Sequence, residues 1–437
     1  MKINMPENVQ TILNKLHSNG YQAYIYGACI RDYLLGKEPI NWDITTNALP
    51  NNTVVIFDEN EGFTSIPSVE DYGIVTLHFK GESCQVNTFR TGEARRFADD
   101  ISEDLLHKDF TMNSIAYNEQ AGIVDPYNGV GDIEKRLIRC AQNPYEQMQE
   151  DSARILRAVR FESQLGFKIE AELLQAMKDL KDTVPASGSR VRNEFIQLLL
   201  SEQPSRSIRR LLELGLLERL IPELMPAIGF DTHSSYHDKD VFEHSLVVLD
   251  NTEPNLTLRL AALLHDIDKP NCLTIDEDGE GHCYGHASGG SEMAQAILGR
   301  LNFDRKTIQA VSSLIKEHMN DFGNISDLSI KRLIRRVGPD NIDRLFELQL
   351  ADIKGSALSS RDPERITKIR NKCFEVLSRR EPLTVHDLDI SGYDLLSLGY
   401  PPGKKIGETM DYLLDQVIDN PSLNQRDTLI ALLKNRK

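Results

Sequence analysis

The spacing of apolar residues divides the chain into a short mixed part and a long helical part. Near the N-terminus, AYIYG (23–27) and YGIVTLHF (72–79) are apolar runs of strand length, and SCQVNTFR (83–90) is a further β-rich run. The residues Lys80-Gly81-Glu82 between the last two predict a hairpin. After the glycine-rich segment 125–136, nearly every apolar pattern has the period of a helix.

The helical spacing of apolar residues in the second part therefore predicts a body without a sheet. The predicted helices cover residues 146–163, 190–200, 203–214, 257–266, 289–301, 305–318 and 340–354. The fold class that follows is α+β: a small N-terminal α/β head, with a mixed sheet of four or five strands, precedes an all-α body.

Composition and charge are typical of a soluble protein that does not bind nucleic acid through bulk charge. The chain has 437 residues, enough for several domains, and a formal net charge of −16. No apolar run has the length of a membrane span, and the N-terminus has no signal-peptide pattern. Six scattered cysteines predict reduced thiols and a cytoplasmic location. Arginines nevertheless cluster in mid-sequence, where they predict a local phosphate-binding surface: Arg154, Arg157, Arg160, Arg190, Arg192, Arg206, Arg209 and Arg210.

One stretch of the head has the order of residues that phosphoryl transfer needs. Gly27 follows a predicted strand and precedes a helical segment, so this turn can hold phosphates at a helix N-terminus. Asp43 lies in the next predicted strand, NWDITT (41–46), where a carboxylate can hold a metal ion. By itself the pattern is weak, because a glycine turn and a strand aspartate also occur together for purely structural reasons.

Longer motifs connect this pattern to a family. The chain resembles the CCA-adding tRNA nucleotidyltransferases and poly(A) polymerases in segments that keep the family's order and spacing: GACIRDYLLGKEPINWDITTNALP (27–50), EDLLHKDFTMNSIAYN (103–118), GIVDPYNGVGDIEKRLIR (122–139), EDSARILRAVRF (150–161), SRVRNEF (189–195) and YDLLSLGYPPGKKIG (393–407). The resemblance implies a Mg²⁺-dependent head that uses ATP or CTP and acts on a tRNA or another RNA 3′ end.

The same resemblance assigns roles to individual residues. Asp43, with Asn41 at the partner position, would bind the metal and take part in catalysis. The residues assigned to nucleotide binding are Gly27, Arg31, Asp32, Asp109, Glu150, Asp151, Arg154, Arg157 and Arg160. Glu150, Asp151 and Arg154 match the family's template for the edge of the incoming base. A helix salt-bridge cluster would explain the same three residues.

The head departs from the family where its chemistry should be. The family's Gly-Gly is Gly27-Ala28 here, its Asp-x-Asp is Asn41-x-Asp43, its usual Glu on the neighbouring strand is Gln85, and its Arg-Arg-Asp is His107-Lys108-Asp109. An amide oxygen can bind a cation but brings no negative charge, and Lys or His lacks the planar fork of Arg. We therefore expect weak or absent nucleotide transfer.

A second set of possible ligands lies in the helical part. His244, the adjacent pair His265-Asp266 and Asp352 are separated by predicted helices, with His286 and His318 between them. A histidine next to a carboxylate suits a metal pair, because one residue gives nitrogen and the other can bridge two ions. Each histidine alone would more often be a surface or core residue.

This ordered set resembles the HD phosphohydrolase superfamily, whose pattern is His, His-Asp, Asp. The resemblance implies a divalent transition metal held by His244, His265, Asp266 and Asp352, a second ion held by His286 and His318, and catalytic roles for Asp266 as a bridge and Lys269 beside the phosphate. Asp268 departs from the pattern, since glycine is usual there. The implied activity is a phosphatase or 2′,3′-cyclic phosphodiesterase that acts on nucleotides or RNA ends.

Together the resemblances predict four domains and leave three functions open. The domains are a nucleotidyltransferase head (1–140), a helical neck that binds RNA and nucleotide (141–225), an HD domain (226–375) and a helical tail (376–437). The first function is RNA 3′-end nucleotidyl transfer combined with hydrolysis, and the second is hydrolysis with an impaired head. The third, a non-enzymatic RNA-binding module, is disfavoured by the complete HD set. We expect RNA and nucleotides as partners, with no membrane and no protein partner.

Overall fold

The structure, a computed structural model, divides into two compact units. It describes residues 3–59, 62–68, 73–92, 96–234, 238–320, 326–357 and 362–434. The first unit is Met1–Pro185 and the second is Ala186–Lys437. The finer division into four domains remains a prediction.

A mixed sheet forms the centre of the first unit. Within the described residues it contains seven strands in the order β3-β4-β5-β2-β1-β6-β7. These are β1 (Ala23–Tyr26), β2 (Asp43–Thr46), β3 (Phe63–Pro67), β4 (Ile74–Phe79), β5 (Glu82–Thr88), β6 (Ala116–Asn118) and β7 (Gly122–Val124). The prediction of four or five strands is therefore too low. β3, β6 and β7 have only five, three and three residues, too few for a clear alternation of apolar and polar positions.

Strand pairing brings the acidic motif of the head together. β2 pairs antiparallel with β1, so Asp43 lies opposite Tyr26. On its other side β2 runs parallel to β5, where Ile44 pairs with Val86. Gln85 precedes Val86 by one residue and is therefore level with Asp43 on the neighbouring strand.

The predicted hairpin between β4 and β5 is confirmed. Phe79 pairs with Glu82, which leaves the two-residue turn Lys80-Gly81. Both turn residues have a positive φ, 52° and 84°. This combination is that of a type I′ turn, which glycine accepts without strain.

Helices make up most of the rest of the first unit. They are α1 (Glu7–Ser18), α2 (Ala28–Leu34), α3 (Pro50–Ile56), α4 (Ile101–Leu106), α5 (Gly129–Glu134), α6 (Pro144–Glu150), α7 (Ala153–Leu165) and α8 (Ala171–Asp179), with a short parallel pair of strands, β8 (Leu137–Ile138) and β9 (Lys168–Ile169). The single helix predicted over 146–163 is in fact two helices. Asp151 has extended backbone (φ −145°, ψ 96°) and separates α6 from α7.

The second unit is almost entirely helical. Its helices are α9 (Ser189–Leu199), α10 (Pro204–Glu213), α11 (Leu217–Leu220), α12 (Val241–Asp250), α13 (Leu256–Leu264), α14 (Lys269–Cys272), α15 (His286–Arg300), α16 (Arg305–Glu317), α17 (Asp327–Val337), α18 (Ile342–Gly355), α19 (Pro363–Ser378), α20 (Gly392–Ser397), α21 (Lys404–Asp419) and α22 (Arg426–Lys434). The hydrophobic helix α13 is buried along its length from Leu258 to Leu264.

The prediction of an all-α body after residue 140 is wrong at two places. β9, with two residues, lies within the predicted helical neck and pairs with β8. β10 (Leu273–Ile275) and β11 (Gly281–Cys283) form an antiparallel hairpin between α14 and α15. Each strand has three residues, which is too short to be recognised from apolar spacing. In the parts of the chain that the structure describes, no helix is both long and apolar enough to cross a membrane.

Candidate active sites

The turn after β1 leads directly into a cleft of the first unit. Gly27 has a φ of 77°, and its N–H donates to the carbonyl oxygen of Ile115 at 3.0 Å. A Cβ at Gly27 would meet only the carbonyl oxygen of Asn113, at an ordinary 3.7 Å. Backbone conformation rather than lack of space therefore explains the glycine. α2 begins at the next residue and carries Arg31 into the cleft wall.

The cleft has a volume of about 480 Å³ and is lined largely by charged side chains. The predicted site residues in its wall are Gly27, Arg31, Asp43, Asp109, Asp151, Arg154, Arg157 and Arg160. Asp32 and Glu150 do not line it. Asp32 accepts hydrogen bonds from Nε and Nη2 of Arg31 at 2.9 and 2.7 Å, and the exposed Glu150 pairs with Arg154. These two carboxylates hold arginines that do line the cleft.

The salt-bridge explanation holds for two of the three residues Glu150, Asp151 and Arg154, and the base-template role stays a prediction. Nη1 of Arg154 is 2.7 Å from Oε2 of Glu150, and its Nη2 donates to the carbonyl oxygen of His107 at 3.2 Å. Glu150 and Arg154 are therefore a salt bridge of the i, i+4 type. Asp151 lies in the break between the helices, where its Oδ1 accepts from the N–H of Ala153 at 3.2 Å.

Asp109 is a carboxylate stabilised by three donors. Burial acts to raise its pKa, but Arg157 and hydrogen bonds from Asn113 Nδ2 and the N–H of Phe110 outweigh burial and hold the pKa below its ordinary value. Nη1 of Arg157 is 3.1 Å from Oδ2 of Asp109, and Asn113 Nδ2 is 2.8 Å from Oδ1. Asp109 therefore fixes Arg157 in the cleft wall as an ion pair.

Asp43 belongs to the walls of two clefts. The second cleft has a volume of about 740 Å³, and its wall also includes Ile40, Asn41, Trp42 and Gln85. Asn41 and Gln85 are exposed, and Asp43 is half-buried. These three side chains offer one carboxylate and two amide oxygens. That set fits one hard cation such as Mg²⁺, but it lacks the negative charge to hold two.

Three further charged residues, Arg90, Asp104 and Lys108, line the first cleft without having been predicted. Asp104 is buried, and its two oxygens accept from Thr45 Oγ1 at 2.9 Å and from the N–H of Arg90 at 3.1 Å. Nζ of Lys108 is 3.1 Å from Oδ2 of Asp104. Burial raises the pKa of Asp43, and the Lys108 ammonium opposes that rise. The acid-to-lysine spacing of four residues was the only sequence signal for this pair.

Five helical segments of the second unit bring the second predicted ligand set together. The ligands lie within or next to helices, with His244 in α12, His265 and Asp266 after α13, His286 at the start of α15, His318 after α16 and Asp352 in α18. All six are buried. Their ligand atoms form three overlapping groups, each within 4.8 Å: His244, His265 and Asp266; His265, His318 and Asp352; Asp266, His286 and His318.

The carboxylate of Asp266 lies at the centre of this cluster. Its Oδ2 is 3.6 Å from Nε2 of His244 and 3.2 Å from Nε2 of His265. Its Oδ1 is 3.4 Å from Nε2 of His286 and 3.7 Å from Nε2 of His318. Each oxygen thus faces a different pair of histidines.

Asp352 and Lys269 complete the charges around Asp266. Oδ1 of Asp352 is 3.0 Å from Nε2 of His244, and Nζ of Lys269 is 2.6 Å from Oδ2 of Asp266. Burial acts to raise the pKa of Asp266, but the charges of His265 and Lys269 hold the pKa well below its ordinary value. The central carboxylate is therefore an anion.

Three of the imidazoles turn the same nitrogen toward the centre. Nδ1 of His265, His286 and His318 lies 2.9, 2.6 and 2.6 Å from the carbonyl oxygen of the residue three positions earlier. Nδ1 therefore donates to the carbonyl oxygen, and Nε2 is the nitrogen that faces Asp266 and is placed to bind a metal ion. Burial lowers the pKa of His318 to about 4, so this ring is neutral at physiological pH. A cation between the rings would stabilise the two Nε2 atoms of His286 and His318, which are 3.4 Å apart.

Buried atoms without hydrogen bonds support a cation at this position. Among the described residues, Nε2 of His265 and Oδ1 of Asp266 are buried and make no hydrogen bond, and Oδ2 of Asp266 has the ammonium of Lys269 as its ion-pair partner. Mixed imidazole and carboxylate donors suit divalent transition metals. The residues present therefore fit such an ion.

Residues that support the ligands could not be recognised from the motif. Nε2 of Gln349 donates to the carbonyl oxygen of His318 at 2.9 Å. Glu317, which precedes His318, is buried and pairs with Nε of Arg336 at 2.7 Å. Gln349 and the Glu317–Arg336 pair fix the end of α16, which carries the ligand.

The departure from the HD pattern at Asp268 is accommodated by a glycine in α15. A Cβ at Gly289 would come within 1.9 Å of Oδ2 of Asp268. Oδ1 of Asp268 also accepts a hydrogen bond from Asn271 Nδ2 at 2.9 Å. The larger side chain therefore fits because the facing residue has none.

The fold and the first cleft define a class of protein: a nucleotidyltransferase head joined to a helical body. Family models match three parts of the chain: the poly A polymerase head domain (residues 23–139), a probable RNA and SrmB-binding site of polymerase A (166–228) and a putative tRNA nucleotidyltransferase domain 2 (286–433). The A-adding tRNA nucleotidyltransferase of Deinococcus radiodurans is 30% identical over 329 residues, which cover 72% of this chain and 75% of that protein. The chain belongs to the family of CCA-adding tRNA nucleotidyltransferases and poly(A) polymerases.

Other relatives match over shorter lengths. The CCA-adding enzyme of Lactobacillus johnsonii is 35% identical over 234 residues, and that of Oceanobacillus iheyensis is 37% identical over 219 residues. The matches cover 50% and 48% of this chain, but only 58% and 54% of those two enzymes. The chain thus spans little more than half the length of these relatives.

Solved structures agree on the fold. The Bacillus stearothermophilus CCA-adding enzyme in complex with CTP has a TM-score of 0.65 and 23% identity, with 99% of this chain and 98% of that chain covered. The Thermotoga maritima CCA-adding enzyme complexed with tRNA has a TM-score of 0.53 and 18% identity, with 98% and 95% covered. At these identities the likeness concerns the fold alone.

Proposed function

We propose that the first unit transfers a nucleotide from ATP or CTP to the 3′ end of an RNA, with tRNA as the substrate. The observation that carries this proposal is the position of Asp43 in the walls of two clefts. A transferase must hold the nucleoside triphosphate on one side of its metal and the acceptor hydroxyl on the other, so two clefts that share a carboxylate suit the reaction. The named relatives, an A-adding tRNA nucleotidyltransferase and CCA-adding enzymes, support the choice of substrate.

The first cleft suits the nucleotide. Arg31, Arg157 and Arg160 contribute positive charge that would neutralise the triphosphate. The turn at Gly27, in the same cleft wall, would hold its phosphates. Asp151 and Arg154 offer an acceptor and a donor for the edge of a base. A Mg²⁺ ion bound by Asp43 and the nearby amides would supply further neutralisation and activate the attacking hydroxyl.

The second cleft suits the RNA end. Ile40 is 90% exposed at its wall, next to Asn41 and the partly exposed Trp42. An exposed apolar and aromatic surface next to a catalytic carboxylate can stack an unpaired terminal base. We therefore assign the second cleft to the acceptor strand.

Incorporation of labelled nucleotide into a tRNA that lacks its 3′-terminal nucleotides tests both assignments. Ile40→Ser should raise the KM for tRNA and leave the KM for ATP unchanged, because Ile40 lines only the second of the two clefts. Val55→Ser is the matched control, since Val55 is also an exposed aliphatic residue of the head, 77% exposed, but lies in α3. If Ile40→Ser changes the KM for ATP instead, the assignment of the two clefts is wrong.

We also propose that the second unit is a metal-dependent phosphohydrolase that acts on a nucleotide or on an RNA-terminal phosphoester. The convergence of four buried histidines on the buried carboxylate of Asp266, with the buried Asp352 against His244, carries this proposal. Asp266, with one oxygen toward each pair of histidines, is suited to bridge two ions. A bound divalent transition metal would activate water and neutralise the phosphate. Lys269 places a further positive charge beside Asp266 for the phosphate oxygens.

Loss of hydrolysis in ligand variants tests this second activity. His265→Ala and Asp266→Ala should abolish metal-dependent hydrolysis of adenosine 2′,3′-cyclic phosphate and of 3′-AMP. Nucleotide incorporation in the same preparations shows whether the first unit stays folded. His386→Ala removes an exposed histidine of the same unit and should have no effect. Full hydrolytic activity in both ligand variants would refute the proposal.

A further inference from the structure

An exposed tyrosine lies next to one of the metal-ligand candidates. Tyr284 is 77% exposed, and it lies between Cys283, the last residue of β11, and His286, the first residue of α15. The carbonyl oxygen of Cys283 accepts the hydrogen bond from Nδ1 of His286 at 2.6 Å. Two residues of extended chain span at most about 7 Å, so the backbone of Tyr284 lies within about 7 Å of the backbone of His286. A single bound nucleotide can span that distance.

The ring of Tyr284 is held in place from one side. It stacks on the imidazole of His282, with 5.4 Å between the ring centres and 16° between the planes. Nε2 of His282 is 2.8 Å from Oδ2 of Asp276, and Oδ1 of Asp276 accepts from the N–H groups of Asp278 and Glu280. The hairpin turn therefore fixes the histidine, and the histidine supports an aromatic ring that remains largely accessible to solvent.

The same hairpin contacts the residue suited to bind phosphate. Sγ of Cys283 is 3.7 Å from the carbonyl oxygen of Lys269, whose ammonium is 2.6 Å from Asp266. The strand that precedes Tyr284 is thus packed against the helix that begins at Lys269. The segment 283–286 therefore carries the exposed ring of Tyr284 and the buried ligand His286, and it contacts Lys269.

The geometry points to Tyr284 as the base-stacking platform of the second site, so that its substrate is a phosphoester carried by a nucleoside rather than by a sugar or polyol alone. This inference rests on the proposed phosphohydrolase activity. A supported aromatic ring stacks on any base, because every base has a planar π-face. The ring therefore provides affinity for nucleosides without selecting among bases.

Kinetics on two substrates tests the platform. Full-length wild-type protein, Tyr284→Leu and Tyr284→Phe are compared on adenosine 2′,3′-cyclic phosphate and on glycerol 1,2-cyclic phosphate, which has no base. In Tyr284→Leu, the KM for the adenosine substrate should rise on the order of tenfold with little change in kcat, and the glycerol substrate should be unaffected. Tyr284→Phe keeps the ring and should behave like wild type. Tyr393→Leu, which removes an 83% exposed tyrosine in α20, is the matched control.

The outcomes separate this inference from the activity on which it rests. If wild type hydrolyses both substrates and Tyr284→Leu changes neither KM, or changes both equally, Tyr284 is not a base platform although the hydrolase stands. If wild type hydrolyses neither substrate, the proposed hydrolase fails. Binding of 3′-AMP, measured by calorimetry, then tests whether Tyr284 stacks on a base. Weaker binding by Tyr284→Leu than by wild type supports the platform, and equal binding overturns it. The head contributes equally to both measurements, because it is unchanged. The test also separates two sources of the base, since a 3′-phosphorylated oligonucleotide in place of 3′-AMP shows whether the ligand is an RNA end.

Discussion

Removal of divalent metal should lower the thermal stability of the second unit. The six ligand candidates are buried, come from five helical segments and place Nε2 atoms of His286 and His318 only 3.4 Å apart. These donors can converge only in the folded chain, so an ion binds the native state and not the unfolded one. Binding energy then adds to the free energy of unfolding.

The size of the effect follows from mass action. An ion present at about 100 times its dissociation constant stabilises the native state by about 2.7 kcal/mol. For a unit of this size each kcal/mol shifts Tm by roughly 2 to 4 °C. The expected difference between metal-saturated and chelated protein is therefore roughly 5 to 11 °C.

Differential scanning calorimetry of the full chain, dialysed against EDTA and then supplied with Mn²⁺, measures this difference. Fluorescence of Trp42, the single tryptophan, follows the first unit separately. Asp266→Asn should abolish the metal-dependent shift, whatever it does to Tm itself, whereas His386→Ala should keep the shift. A shift of the same size in Asp266→Asn, or none in wild type, would refute the interpretation of the cluster as a metal site.

Three further predictions concern the other charged groups. Asn41→Asp combined with Gln85→Glu should raise nucleotide incorporation, because it restores negative charge beside Asp43; unchanged or lower incorporation would contradict the argument from charge. Arg206→Ala should weaken RNA binding and reduce its salt slope by about one unit, because Arg206 is exposed, whereas Arg209→Ala should leave the slope unchanged. The folded pKa of Asp109 is lower than the unfolded value of about 3.9, so its stabilisation is complete above that value and is lost as pH falls through the folded pKa. Asp109→Asn should therefore flatten the acid side of the urea-unfolding profile, and an unchanged profile would show that Asp109 is not its source.

The prediction for Arg209 differs from the expectation from sequence. Clustering in the sequence predicts that Arg206 and Arg209 share a phosphate-binding surface. In the structure Nη2 of Arg209 is 2.6 Å from Oε2 of Glu243, and its Nη1 is 3.0 Å from Ser205 Oγ. Glu243 is 34 positions away along the chain, so no local pattern indicates that the charge of Arg209 is already used.

The head shows which features a sequence can and cannot predict. The glycine turn and the hairpin at Lys80-Gly81 were predictable because each depends on backbone conformations of one or two residues. Asp104 was not, because its partners Thr45 and Arg90 lie on other parts of the chain. The break at Asp151 was also missed, since the apolar spacing of α6 and α7 continues across it.

The second site was predicted more completely, because the type and order of its ligands carry most of the information. The sequence named all six residues that the structure brings together in three overlapping groups. It did not indicate the hydrogen bonds from Nδ1 to backbone carbonyls that orient three of the rings, nor the support from Gln349. Those contacts depend on how helix ends are placed in space, and no spacing of residue types records that.

The chemistry of the two proposed activities connects them. A nucleotidyltransferase needs a free 3′ hydroxyl on its acceptor, because that oxygen attacks the α-phosphorus and pyrophosphate leaves. An RNA end that carries a 3′ phosphate or a 2′,3′-cyclic phosphate lacks this hydroxyl and is inert. A hydrolase acting at the second site adds water to phosphorus and breaks the bond from phosphorus to O3′. A 3′ phosphate then leaves as inorganic phosphate, a cyclic phosphate opens to a 2′ phosphate, and both reactions return the 3′ hydroxyl. The chain should therefore extend a 3′-phosphorylated tRNA only after a lag set by hydrolysis.

Asp266→Asn should abolish extension of that substrate while extension of a 3′-hydroxyl tRNA continues. Equal loss on both substrates would instead show that the two sites do not act in sequence.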